Sequence, residues 1–180
     1  MLFFYFAAIG TETNMGRKSI KENKNIYQLS RENCNFTREK ASMELKFISA
    51  DRIEKIESEK SLPHPDEIVA MAECYKNPIL CNYFCSHECP IGIKSVPEIE
   101  IKELSQITLE MLSTLNKLYS EKERLIEITV DGKISENEAR EFMEIQKTLE
   151  KMTSAIASLK LWVDNTVAEG KIDKKLFDIR

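Results

Sequence analysis

Seven apolar residues near the C-terminus, Phe142, Ile145, Leu149, Met152, Ile156, Leu159 and Val163, follow one another at alternating steps of three and four. That spacing keeps side chains on one face of a helix, whereas a strand would repeat every two residues. Sustained over three heptads, it is the a/d seam of a coiled-coil face. The 22 residues it spans form a rod of about 33 Å. Upstream, Leu104, Met111, Leu118 and Leu125 recur every seven residues, with Thr108, Leu112 and Leu115 on the same face. Between the two stretches lies VDGKISENEAR, in which Asp131-Gly132 signals a turn and Ser135 with Glu138 forms a capping box. Residues 101–180 are therefore expected to form an antiparallel helical hairpin with a short tail. AEGKID at 168–173 echoes VDGKIS at 130–135, and both read as a Gly turn leaving a helix. Two helices alone bury little. The seam is expected to meet a second copy in a four-helix homodimer, with packing inside one chain as the alternative.

The N-terminal part reads differently. From Asn25 to Tyr75 short apolar periods alternate with polar helix starters. Thr37 and Ser49 suit the N-caps of a second and third helix, Lys46-Phe47-Ile48 the turn between them, and Asp66 the cap of a fourth after SLPHP breaks the chain. Ile26, Leu29 and Tyr27, then Ala41, Ser42 and Leu45, then Ile53 and Ile56, then Ile68, Val69, Met71 and Ala72 are the expected inner faces. Short helix, tight turn, short helix is the order of a helix-turn-helix unit. Charge is unevenly spread in its favour. Met15 to Leu62 holds 11 basic and 8 acidic residues, whereas Pro63 to Arg180 holds 15 basic and 21 acidic, so phosphate affinity belongs to the first part.

Several residues in this stretch resemble the lambda repressor and Cro class of bacterial regulators, the XRE family. Phe36-Thr37 matches the Leu-Thr-like start of the second helix, Ser42 the small residue five places on, and Ile56-Glu57 the Ile-Glu pair closing the third helix. Pro63 and then Ala72 follow as they do in such repressors. The longer run PHPDEIVAMAECYKNPILCNYFCSHECPIG, with its helical tail, looks like a group of these regulators common in clostridia. The resemblance implies an all-α protein whose residues 15–75 bind double-stranded DNA, joined through residues 76–100 to the hairpin. It implies sequence-specific transcriptional regulation without catalysis. Thr37 and Arg38 are the candidate phosphate clamps. Ser49, Asp51, Arg52 and Lys55 are the candidate contacts of the third helix, Arg52 reading guanine and Lys55 holding phosphate. Two departures stand out: Lys46 where Gly is common, and Asp51, Glu54, Glu57 and Glu59 on a helix meant to face phosphates. A helix-turn-helix fold kept as a protein-binding module is the rival reading.

Cys81, Cys85 and Cys89, with Cys74 just before them and His87 among them, raise a metal or redox site, zinc or iron–sulfur. On one helix the thiols at 81 and 89 stand roughly 12 Å apart, too far for one ion unless the helix breaks. The alternative is small buried apolar residues on one face. No Ser-His-Asp, Walker or dinucleotide pattern is present. The apolar run in residues 1–14 is too short to span a bilayer, and Met15 reads as a more natural start. The cytoplasm is the expected compartment, with the cysteines reduced.

Overall fold

Each of the first three helices starts on the polar residue the sequence offers it. The computed structural model describes residues 24–176, and among them the chain folds into eight α-helices and no strand. Helix α1 (Ile26–Asn33) begins at Asn25, whose side chain accepts from the Gln28 amide. Helices α2 (Arg38–Leu45) and α3 (Ala50–Glu57) begin at Thr37 and Ser49 in the same way. Helix α4 (Pro65–Cys74) begins two residues earlier than expected. His64, not Asp66, is its cap, because Pro65 is preset for the first helical position. Glu67 then accepts from the His64 amide at 2.7 Å.

Three of these helices end on left-handed residues that are not glycine: Asn35, Glu59 and Lys76, with φ of 55°, 61° and 51°. At each end the next amide reaches back to the helix, as in Lys60 N–H to the Lys55 carbonyl at 2.9 Å, and satisfies its last carbonyls. Tyr27, Ala41, Leu45, Ile48, Ile53, Ile56, Ile68, Met71, Ala72 and Tyr75 form the core of this head. Leu29 and Val69, expected inside, are 45% and 52% exposed. The inner face of α4 runs Ile68, Met71, Ala72, Tyr75, and Val69 lies 100° off that line. Tyr27, Ser30 and Arg31 displace Leu29 from α1's inner face in the same manner.

Residues 76–100 are not a mere connector. Leu80 of helix α5 (Ile79–Tyr83) and Phe84 of the π-helical turn that follows (Phe84–Glu88) complete the head's core. The chain then reverses at Pro90, and helix α6 (Gly92–Ser95) crosses back over the π turn. A Cβ on Gly92 would lie 2.1 Å from the Cys85 carbonyl oxygen, so only glycine allows that crossing.

The hairpin follows as expected. Helices α7 (Leu104–Thr129) and α8 (Glu136–Ala168) pack along their lengths, with Gly132 at φ 69° in the turn and the Ser135–Glu138 capping box formed. Gly170, at φ 74°, closes α8. The seam between them is shifted from the expected one. On α8 it runs through Ile145, Thr148, Met152, Ala155, Leu159, Trp162 and Thr166, all buried or half-buried, while Leu149 and Ile156 remain exposed. On α7 it runs through Ile107, Met111, Thr114, Leu118, Glu121, Leu125 and Ile128. No described helix is long and apolar enough to cross a membrane.

Candidate nucleic-acid interface

Helix α2, the turn and α3 form the element read as a helix-turn-helix, and its turn is tight. Lys46 has φ 61° and ψ −46°, and the Phe47 amide donates to the Leu45 carbonyl at 2.7 Å. That is a γ-turn of the strained hand, at the place where glycine is free of strain. Ile48 is pulled inside while Phe47 is left 61% exposed.

Behind α3 lies a buried carboxylate. Glu57 accepts from Arg31 through two bonds, at 2.5 and 3.0 Å, and from Arg38 Nε at 2.8 Å. Arg31 also donates to the Phe36 carbonyl, so one guanidinium ties α1 to the start of α2 and the end of α3. Burial works against the Arg31 charge, but the hydrogen bond and charge of Glu57 outweigh it and hold the group above its ordinary value.

The candidate contact residues separate into two groups. Arg52 does not face outward. Its Nε and Nη2 donate to the two oxygens of Glu67 at 2.8 and 2.7 Å, Nη1 donates to Ser61 Oγ, and Nη2 also donates to the Leu62 carbonyl at 2.9 Å. Arg52 therefore fastens α3 to the start of α4 and to the loop between them, and its fork is not presented to a base edge. Arg38, half-exposed, is tied to Glu57. The Thr37 and Ser49 hydroxyls cap their helices, accepting from Lys40 N–H at 3.1 Å and Arg52 N–H at 3.2 Å. Only Asp51 and Lys55 stand on the outer face with no ion-pair partner among the described residues. Glu54, beside them, pairs with Lys60 at 3.0 Å.

Sequence reasoning missed two cations. Lys46 stands at the turn and Lys40 on α2, both exposed, the latter 4.5 Å above the Phe36 ring. With Lys55 they are the cations of this element without a carboxylate partner among the described residues. The signal was present, since each lies at a polar position of its helix or turn. The roles of Glu57 and Glu67 had no such signal, because their partners lie 26 and 15 residues away.

The three thiols at 81, 85 and 89 are not arranged around a common point. Cys81 lies in α5, Cys85 in the π turn and Cys89 just beyond it, and all three pack half-buried against the head's core. Burial pushes the Cys81 thiol up, followed by the nearby charges of Cys85, Glu73 and Asp164. Among the described residues no three His, Cys, Asp or Glu side chains converge on an ion. His87 instead stacks on Tyr83 at 4.5 Å and meets Glu98 at 3.3 Å.

Compared with known proteins, the chain matches no family model, no curated protein and no solved structure.

Proposed function

We propose that the head is a duplex-DNA-binding module of a cytoplasmic transcriptional regulator, acting by occupancy and without catalysis. The observation that carries this reading is the α2–turn–α3 element. Its third helix is clamped from behind by Glu57 and from the side by Arg52–Glu67, with Asp51 and Lys55 left facing outward. A rigid helix with a few free polar residues on its outer face is what groove readout requires. Lys55 then holds phosphate, and the base contact expected of Arg52 is not made by that residue. Asp51 accepts from a cytosine amine, and Lys40 and Lys46 hold phosphates.

Three unpaired lysines set a modest electrostatic term. With Z near 3, log affinity falls against log salt with a slope of about −3. Selection from a random duplex library, then titration of the enriched site at several salt concentrations, tests this. A defined motif and that slope are expected, with Lys55→Ala reducing the slope by about 1. Recovery of no motif, or salt-insensitive binding, overturns the reading.

One observation favours the rival protein-binding module. Met43 and Phe47 are 71% and 61% exposed, beside a head whose arginines are spent internally. Under that reading the library yields no motif.

A further inference from the structure

We propose that the hairpin pairs with a second copy of this chain through a second seam, one residue on from the seam that joins α7 to α8. On α7 that second row is Thr108, Leu112, Leu115, Tyr119, Lys122, Ile126 and Thr129, at steps of four and three. Leu112, Leu115 and Ile126 are about half exposed and Tyr119 is 78% exposed. On α8 the matching row is Leu149, Thr153, Ile156, Lys160 and Val163, with Leu149 and Ile156 open to solvent.

The two rows lie on the same side of the hairpin. The rows one residue before each seam meet in one groove, where Ser113 and Lys117 of α7 line the same space as Lys147, Lys151 and Ser154 of α8. The segment Glu98–Lys102 runs along that side. The rows one residue after each seam must then share the opposite side, which the head leaves uncovered. A helix pair with apolar rows at adjacent heptad positions is built for two neighbours, and each helix here has one.

Area points to a second copy as the occupant. Helix α7 is about 39 Å long, and two packed helices present a face about 20 Å wide. That amounts to about 800 Å², which is one partner's share of a standard interface.

Sedimentation equilibrium of the full chain, with no DNA present, tests this separately from the DNA reading. The expected mass is twice the chain's 20.8 kDa. Leu115→Glu with Ile156→Glu should give the single-chain mass with helical circular dichroism retained, while Leu109→Glu on the opposite side leaves the dimer. Should the double variant lose helicity, Tyr119→Lys serves instead, because that side chain packs least within the protomer. It should weaken association at least tenfold. A wild-type mass of one chain, a mass above two chains, or a helical Tyr119→Lys that associates as tightly as wild type overturns the proposal. An N-terminal segment covering this face would give the one-chain mass and overturn it too.

Discussion

Arg52 was expected to read a base, yet Glu67 takes up both arms of its fork. A bidentate, charge-assisted pair of this kind is worth about 2 kcal/mol when partly buried. The Arg52 hydrogen bond holds the Glu67 carboxyl below its ordinary value, against an opposing push from burial. A lowered carboxyl value in the fold means the pair stabilises the protein above the unfolded-state value. That stabilisation is lost as pH falls through the folded value. Arg52→Ala is therefore expected to lower the thermal midpoint clearly at pH 7 and much less at pH 3, followed by circular dichroism. An equal loss at both pH values would show that the pair contributes nothing. Under the proposed DNA reading, Arg52→Ala is expected to weaken binding through a loosened α3 and not through a lost base contact.

At the scale of elements, caps were legible and seams were only half legible. Thr37, Ser49 and Ser135 all start helices, since an N-cap is a local matter of a hydroxyl within three residues of an orphan amide, while Asp66 gives way to His64 ahead of Pro65. The seam of α8 was placed with one of its two rows wrong. Rows 100° apart are both apolar, and only the position of α7 tells which is covered. That seam also holds a misfit. Glu121 sits among its apolar residues with one carboxylate oxygen buried and unbonded, its nearest cation being Lys117 at 3.6 Å. Leaving such an atom unmet costs about 1–3 kcal/mol. Glu121→Leu should raise the midpoint of thermal unfolding, and a fall would mean that the carboxylate has a partner in the assembled protein. The crossing of α6 over the π turn makes the opposite case. Gly92→Ala drives a methyl into the Cys85 carbonyl and should cost about 1–3 kcal/mol or more, measured as a lower urea midpoint. A neutral result would place α6 elsewhere.

Across the whole molecule, the head and the hairpin carry separate tasks: one offers a small, clamped, weakly cationic face, the other a long apolar side that the head does not cover. If the head binds DNA and the hairpin pairs two copies, as proposed, the expected operator has two half-sites, because two-fold symmetry in the protein is mirrored in the duplex. The helical periodicity of the hairpin, three of the four expected caps, the Gly turns and the short-helix order of the head were readable from neighbouring residues. They made an all-α chain with a helical hairpin the expected outcome. Folding alone settled which apolar row faces inward, which arginines are held by carboxylates, and that Cys81, Cys85 and Cys89 pack against a core. The reason is range. Propensity and periodicity act within one or two helical turns, whereas the partners of Arg31 and Arg52 lie 26 and 15 residues away and become neighbours only when the helices pack.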